Sequence, residues 1–307
     1  MNWLPALAFA LALGAGAGFG RPPLGLDTHL PVPPSNPLTR EKVALGRKLF
    51  FDTRLSRDGT LSCASCHDPK RSFSDERLVS TGINNAVGTR NSPALINRGY
   101  GQAFFWDGRA ASLEELALEP VFNPIELGST EAELERRSGM RAADVAVALA
   151  SYLRTIRSGN SPFDRYTAGN ARALEGLAMR GFDVFRERAG CTSCHAGPNF
   201  TDERFHNTGV AWTGTGFADA GRFAITGVER DRGAFKTPTL RDLVRTAPYM
   251  HDGSLATLGE VIEFYTEGGR SNPNLDPLIR PRPLTAEDKR ALVAFLESLT
   301  GRVQEGR

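Results

Sequence analysis

An all-α, loop-rich fold of two tandem domains is predicted by an order of features that occurs twice in the chain. Each half begins with an amphipathic helix and continues with a Cys-x-x-Cys-His motif, at 63–67 and at 191–195. Long loops rich in Gly, Asn and Pro follow, and a second amphipathic helix ends each half. Because the loops show no sustained alternation of apolar and polar residues, the sequence does not predict a sheet.

Both motifs match the attachment signal for c-type haem, in which two thiols form thioether bonds and the following imidazole binds the iron. The two copies use all four cysteines of the chain, which argues against a chance match. A large apolar ligand would replace part of each core and would explain the long loops around it. We therefore expect two cytochrome c-like domains with two covalently bound haems. The expected haem-binding residues are Cys63, Cys66, His67, Cys191, Cys194 and His195.

Other uses of paired cysteines fit this pattern less well. A structural zinc site usually takes cysteine pairs that lie some tens of residues apart, whereas positions 66 and 191 are much more distant. Redox dithiols or structural disulfides would not explain why a histidine follows both pairs.

The composition limits the classes of partner. A chain of 307 residues is long enough for two domains of ordinary size. The formal net charge is only +2, and Arg and Lys are spread along the chain rather than clustered. This balance does not indicate nucleic-acid binding.

The first twenty residues predict export from the cytoplasm. Residues 4–19 are almost wholly apolar and small, and Arg21 ends the run. We interpret residues 1–20 as a secretory signal peptide, although no Lys or Arg precedes the run. A retained membrane anchor is the alternative, but the run is short for a complete span. Because c-type haem is attached outside the bacterial cytoplasm, we expect a periplasmic protein, which an uncleaved N-terminus would tether to the membrane.

Local signals place the main helices. Thr39 is the expected N-cap of the first one, and apolar periodicity predicts closing helices over about 142–157 and 285–299. The helices before the two haem motifs share a Gly-x-x-x-Phe pattern that starts at Gly46 and at Gly181. Glycine lets a crossing helix approach closely, so we expect a tight helix crossing in each half.

A turn-rich break near 158–162 marks the expected domain boundary. It divides the chain into an N-terminal haem domain over 21–160 and a C-terminal haem domain over 161–307. Residues 21–38 are rich in Pro and predict an extended leader that lies over another part of the molecule.

The loops between these elements contain four characteristic segments. They are Arg90-Asn91-Ser92-Pro93, Phe105-Trp106-Asp107-Gly108-Arg109, Asn123-Pro124-Ile125-Glu126 and Pro248-Tyr249-Met250-His251-Asp252-Gly253. In these segments the chain resembles the bacterial dihaem cytochrome c peroxidase family, in the right order from about residue 36 to residue 299. That family includes the dihaem enzyme that matures the tryptophan tryptophylquinone cofactor of methylamine dehydrogenase.

The resemblance implies a peroxide site at the N-terminal haem and an electron-storing relay at the C-terminal haem. Glu126 would move a proton between the two peroxide oxygens, because cleavage needs both a base and an acid. Trp106 would lie between the haems as an oxidisable intermediate. Without the resemblance, Glu126 would be interpreted as a solvated loop carboxylate and Trp106 as a core aromatic residue.

The resemblance also implies a calcium site between the haems. Its protein ligands would be one side-chain amide oxygen, from Asn91, and two backbone carbonyl oxygens, from Thr246 and Pro248. These are hard oxygen donors of the kind that suits Ca²⁺.

Two departures from the ordinary peroxidases concern the sixth iron ligands. Loop 81–85 lacks the histidine that occupies the first iron in many family members until reduction releases it. We therefore expect an open first haem that reacts with peroxide without reductive activation.

The second departure is at the second haem, where Tyr265 stands in place of the methionine of the ordinary peroxidases. The cofactor-maturation enzyme shares this tyrosine. A phenolate ligand would lower the reduction potential of the haem relative to methionine. Met250 and His251 are rivals for this position, and Tyr265 is otherwise a helix-face aromatic that packs against Phe264.

Three further positions bear on the subtype. Ala189 stands where the maturation enzyme has the surface tryptophan through which it oxidises its protein substrate. Leu116 stands where the family often has a distal glutamine. His206 is expected to be a structural histidine, with a haem propionate as its alternative neighbour.

The expected function is a periplasmic dihaem peroxidase that reduces hydrogen peroxide with electrons from a small cytochrome c or cupredoxin. One alternative is a peroxide-dependent oxidase of protein side chains. Another, from a different class, is a dihaem electron carrier without enzymatic activity. The resemblance leaves open a homodimer, which family members often form.

Overall fold

Helices carry most of the regular structure in residues 19–306, which are the residues described by this computed structural model. The helices are α1 (Arg40–Phe50), α2 (Leu113–Phe122), α3 (Glu131–Ser138), α4 (Ala142–Thr155), α5 (Pro162–Thr167), α6 (Gly176–Glu187), α7 (Phe223–Thr226), α8 (Leu258–Thr266) and α9 (Ala286–Glu297). The strands are β1 (Arg157–Gly159), β2 (Phe205–His206), β3 (Phe235–Lys236) and β4 (Arg302–Gln304).

The expected all-α fold is wrong. Helical residues make up only 39% of the described structure, and two small antiparallel sheets accompany them. Strand β1 pairs with β4, and β2 pairs with β3. These strands are two or three residues long, too short for an alternating pattern to appear in the sequence, and their partners are distant along the chain. The expectation of a loop-rich chain is consistent with this architecture.

The predicted signal peptide, residues 1–20, lies outside the described residues except for its last two positions. Within residues 19–306, no helix combines the length and the apolar character that a membrane span requires.

The caps and bounds of the main helices follow the local sequence signals. The Thr39 hydroxyl accepts a hydrogen bond from the Lys42 amide at the start of α1, 3.3 Å away. Thr285 and Asp288 cap α9 reciprocally, as their spacing predicts. Helix α4 ends at Thr155, slightly earlier than predicted, because the chain then enters β1.

Two equivalent helix crossings organise the two halves. Helix α1 packs against α4, and α6 packs against α9. A Cβ atom at Gly46 would overlap the carbonyl oxygen of Ala148, and one at Gly181 would overlap the carbonyl oxygen of Ala291. The prediction of close approach at both glycines is therefore confirmed.

Each crossing lies in its own hydrophobic core. One core is built from residues between 19 and 156, and the other from residues between 184 and 299. This separation supports a division of the chain near residue 160, which remains a proposal. The end of the chain crosses that division, because β4 pairs with β1 and Val303 packs on the first core.

The Pro-rich leader lies against both halves. Leu30 and Val32 pack on the first core. The Arg241 guanidinium donates to the carbonyl oxygen of Gly25 at 2.8 Å and also forms a fully buried ion pair with Asp164 at 2.9 Å. The predicted leader is therefore confirmed.

Candidate active site

The first Cys-x-x-Cys-His motif forms a tight turn that fixes the orientation of its histidine. Cys63–Ser65 is a single 3₁₀ turn, and the His67 amide donates to the carbonyl oxygen of Cys63 at 3.0 Å. The Nδ1 atom of His67 lies 3.0 Å from the carbonyl oxygen of Phe73. A carbonyl can only accept, so Nδ1 carries the proton and Nε2 keeps the lone pair that an iron would need.

The second motif repeats this arrangement. Cys191–Ser193 forms the turn, and Nδ1 of His195 lies 2.9 Å from the carbonyl oxygen of Phe200. Phe73 and Phe200 both adopt left-handed backbone conformations, with φ of 60° and 51°. This conformation is rare for a non-glycine residue, so its presence after both motifs indicates a required placement of the accepting carbonyl.

The surroundings of the imidazoles and thiols fit covalent haem. Burial lowers the pKa of His67 and lowers that of His195 to about 4, so both rings are neutral at physiological pH, as iron ligands must be. Burial raises the pKa of the Cys63 thiol and of the Cys191 thiol to about 12. All four cysteines are unpaired, and the two pairs line different cavities, so a single tetrahedral zinc site cannot use them.

The first cavity is the space that Cys63, Cys66 and His67 line. Glu126 and Trp106 line the same cavity. Its apolar wall contains Phe50, Leu95, Phe105, Leu116, Ala117, Leu149 and Leu153. Apart from His67, the described residues that line this cavity include no histidine, methionine or tyrosine.

Glu126 has the environment of an acid–base group. Burial raises the pKa of its carboxyl group above the usual value, and Asn123 and Arg109 oppose this rise. The Asn123 amide donates to the Glu126 carboxylate at 2.7 Å and thereby fixes its position. A carboxyl group whose pKa is raised holds a proton more readily than an ordinary glutamate, so it can serve in turn as base and as acid.

The loop that lacks a histidine, 81–85, packs directly on this site. The Ile83 amide donates to the carbonyl oxygen of Glu126 at 2.9 Å. A side chain at Gly82 would overlap the carbonyl oxygen of Ile125, so the loop needs glycine for this approach.

Trp106 lies between the two sites. It lines the first cavity and also the second cavity, which is defined by Cys191, Cys194 and His195. Its indole nitrogen donates to the carbonyl oxygen of Asn91 at 2.9 Å, and its own carbonyl oxygen accepts from the Lys236 amide at 2.8 Å. The first bond orients the indole, and the second connects the backbone of Trp106 with the second half of the chain.

The second cavity contains all three residues that were considered for the sixth iron position. Tyr265, Met250 and His251 line it together. Burial keeps the pKa of the Tyr265 phenol well above its usual range. The His251 ring is stacked on Phe235, with ring centroids 3.6 Å apart. The rings of Tyr265 and Phe264 are also in contact, with centroids 5.5 Å apart. This contact agrees with the alternative in which Tyr265 is an aromatic residue that packs on the helix face.

The three residues of the expected calcium site also meet at the second cavity. Asn91, Thr246 and Pro248 all line it. The Asn91 amide nitrogen donates to the carbonyl oxygen of Arg77 at 2.8 Å, which leaves the amide oxygen as the end that can bind a cation. This donor chemistry is compatible with Ca²⁺.

The remaining predicted positions have clear structural neighbours. His206 lies between two carboxylates, with Nδ1 2.6 Å from Asp276 and Nε2 2.9 Å from Asp202. These two contacts agree with the expected structural histidine, and the His206 side chain also lines the second cavity. Ala189 also lines the second cavity, and Leu116 lines both.

Sequence reasoning missed several charged residues beside the cavities. Arg109 lies with its guanidinium 3.5 Å from the centre of the Phe105 ring and lines the first cavity. Arg98 and Lys236 line the second cavity, and each forms an ion pair with Glu203, at 2.9 and 3.5 Å. Burial and the neighbouring Arg98 lower the pKa of Lys236 to about 7. The only sequence signal for any of these residues was the position of Arg109 at the end of the characteristic segment 105–109.

Comparison with known proteins agrees with this geometry. Residues 40–172 match the family model described as di-haem cytochrome c peroxidase. The methylamine utilization protein MauG of Methylorubrum extorquens is 42% identical over 288 residues, which cover 88% of this chain and 81% of that protein. The cytochrome c551 peroxidase of Nitrosomonas europaea is 34% identical and covers 95% and 90% of the two chains. The chain belongs to the di-haem cytochrome c peroxidase family.

A solved structure extends the similarity to three dimensions. A MauG-like protein associated with microbial copper homeostasis superposes with a TM-score of 0.82 at 36% identity, covering 96% of each chain. Membership of the di-haem peroxidase family confirms the predicted haem c cofactors and the predicted class of oxidoreductase. The interpretation as a non-enzymatic electron carrier is therefore wrong.

Proposed function

We propose that this protein reduces hydrogen peroxide in the first cavity and shares the oxidising equivalents with the second. One observation carries the proposal: the first cavity combines His67 with the partly buried carboxylate of Glu126 and, among its described lining residues, offers no second histidine or methionine. Haem held through Cys63, Cys66 and His67 would find no second protein ligand for its iron among these residues, so we expect peroxide to react without reductive activation.

The residues of the first cavity supply proton transfer. When bound, haem supplies the iron that accepts peroxide and the capacity to hold oxidising equivalents. Glu126 takes a proton from the incoming peroxide and returns it to the oxygen that leaves as water. The raised pKa of Glu126 lets the carboxyl group hold this proton between the two steps.

Trp106 and an external donor complete the electron path. The indole borders both cavities, so a transient oxidation of its ring divides one long electron transfer into two shorter ones. A small cytochrome c or cupredoxin returns the electrons. We infer a periplasmic enzyme, because c-type haem is attached outside the bacterial cytoplasm. Whether the N-terminus tethers it to the membrane and whether it forms a homodimer are open to test. N-terminal sequencing and the mass of the purified protein test these last points.

We assign Tyr265 as the sixth ligand of the second iron and Asn91, Thr246 and Pro248 as calcium ligands. The position of Tyr265 in the second cavity supports the first assignment. Its rival Met250 lines the same cavity. A phenolate vibration in the resonance Raman spectrum tests Tyr265. Metal analysis of the purified protein tests calcium.

Oxidation of a partner protein is the second candidate function. The 42% identity to a methylamine utilization protein favours it. However, Ala189 offers no oxidisable side chain at the position expected for a surface tryptophan, so we place this function second.

Stopped-flow absorbance of the fully oxidised protein mixed with stoichiometric peroxide tests the proposal. We expect a rapid change in the haem spectrum, slowed about a hundred- to ten-thousand-fold by Glu126→Gln, because glutamine cannot carry the proton. Glu131→Gln is the control, because Glu131 is exposed and does not line the cavity. A reaction that begins only after one haem is reduced, or that ignores Glu126→Gln, contradicts the proposal.

A further inference from the structure

The two helix crossings differ at one equivalent position. In the first half the closest neighbours of Gly46 are Ala148 and Tyr152, and in the second half those of Gly181 are Ala291 and Phe295. Tyr152 and Phe295 therefore occupy the same place in the repeat. Because phenylalanine fills this place in the second half, the crossing does not need the Tyr152 hydroxyl for packing.

The Tyr152 ring lies one aromatic ring away from the first cavity. It is completely buried, and its centroid is 5.3 Å from that of Phe50, which lines the first cavity and not the second. The Phe73 ring is 6.5 Å away on another side. The carbonyl oxygen of Phe73 is the acceptor for Nδ1 of His67, so Tyr152 also neighbours the proximal ligand.

The Tyr152 hydroxyl donates to the carboxylate of Glu305, which connects it with the surface. Glu305 also forms an ion pair with the exposed Arg47, at 3.2 Å. Pairing of β4 with β1, and a 2.9 Å bond from the Gly306 amide to the Thr155 hydroxyl, fix this end of the chain. A buried phenol thus has a base of its own that reaches solvent.

We propose that Tyr152 is a redox-active residue that donates an electron to the first haem site, with Glu305 as its proton acceptor. The proposal rests on the peroxide chemistry proposed above for that site. One electron leaves the phenol ring and reduces the peroxide-oxidised site by one equivalent. At the same time the Oη–H bond breaks, and the proton forms an O–H bond on Glu305. The products are a neutral tyrosyl radical and a neutral carboxylic acid.

The reverse step restores the resting residues. One electron from the redox donor reduces the radical, and the proton returns from Glu305 to Oη. Burial and the adjacent carboxylate raise the pKa of the Tyr152 phenol, so it keeps its proton until an electron is removed. Tyr152 would therefore carry oxidising equivalents from the first cavity towards the surface beside Arg47, independently of the Trp106 path to the second cavity.

Electron paramagnetic resonance of freeze-quenched holoprotein tests the proposal. Protein containing ring-deuterated tyrosine is mixed with stoichiometric peroxide, and its optical spectrum is recorded in parallel. We expect a radical signal that narrows on deuteration, is lost in Tyr152→Phe and is lost or strongly reduced in Glu305→Gln. Tyr166→Phe is the control that keeps the signal, because Tyr166 lines neither cavity.

The optical spectra distinguish a failure of the Tyr152 proposal from a failure of the proposed peroxidase function. A normal haem response with a radical signal that persists in Tyr152→Phe, or that is insensitive to ring deuteration, overturns the role of Tyr152 and leaves the peroxidase intact. No haem response in the unsubstituted protein overturns both proposals. Unfolding does not confuse these outcomes, since Phe295 shows that the repeat accepts phenylalanine and Glu305 belongs to neither hydrophobic core.

Discussion

At the scale of single residues, the proposed role of Glu126 predicts the pH range in which peroxide reacts. The carboxylate form is needed to accept the first proton, so the rate falls as pH drops through the pKa of Glu126. Because burial raises this pKa, we expect the acid limb of the pH–rate profile above the ordinary glutamate value of about 4.3.

Arg109 provides a directional test of this assignment. Its positive charge lowers the pKa of Glu126, so Arg109→Gln should move the acid limb to higher pH. The pH profile of the second-order rate constant with peroxide measures the shift. Arg54→Gln is the control, because Arg54 is exposed and pairs with Asp52, away from the cavity. A limb that stays in place or moves to lower pH would contradict the role of Glu126.

The same residues show what a sequence can and cannot predict at this scale. Cys63, His67 and their repeats are recognisable because covalent attachment requires neighbours at fixed spacing. The resemblance identified Glu126 and Trp106, and the structure brings both into the first cavity. Lys236 gave no signal, because its burial beside Glu203 depends on contacts between distant segments.

At the scale of secondary-structure elements, the four helices with clear local signals were predicted, namely α1, α4, α6 and α9, and the strands were not. A helix is signalled locally by caps and periodicity, as Thr39 and Thr285 show. Strands β1 and β4 are separated by most of the second half and carry no periodic pattern in three residues. Their pairing depends on where the rest of the chain has placed them, which explains why an all-α fold was expected.

The two helix crossings lead to a prediction about the stability of the protein. Alanine at Gly46 or Gly181 gains helix propensity of about 1 kcal/mol, but its methyl group would overlap backbone oxygen that cannot move away easily. We expect overpacking to dominate, with a net loss of about 1–3 kcal/mol in the free energy of unfolding for each substitution. Denaturant unfolding of the holoprotein measures it.

Gly216→Ala is the matched control for both substitutions. No atom lies within 4 Å of a Cβ built at Gly216, and its backbone is not left-handed. It should therefore leave stability nearly unchanged. Equal stability of all three variants would show that the crossings can relax and that the two glycines are not required.

At the scale of the whole molecule, the two halves meet around one aromatic residue. Trp106 comes from the first half, lines both cavities and is bonded through its carbonyl oxygen to Lys236 of β3. Arg90 strengthens this junction, because it pairs with Asp107 at 2.6 Å and with Asp219 of the second half at 2.7 Å. These contacts join the two halves of the chain at Trp106.

Trp106→Phe tests whether that indole carries electrons between the sites. Phenylalanine keeps an aromatic ring in place but is much harder to oxidise, and it loses the hydrogen bond to Asn91, worth about 1 kcal/mol. We expect the first haem to react with peroxide at nearly the normal rate. The response of the second haem should slow about tenfold or more, equivalent to about 1.4 kcal/mol of added barrier. Rapid-scan absorbance that resolves the two haems measures both rates.

Trp212→Phe is the control, since Trp212 packs on Phe217 and lines neither cavity. If the second haem still responds at its normal rate in Trp106→Phe, electrons cross the junction by another route, and the indole serves only to pack the two halves together.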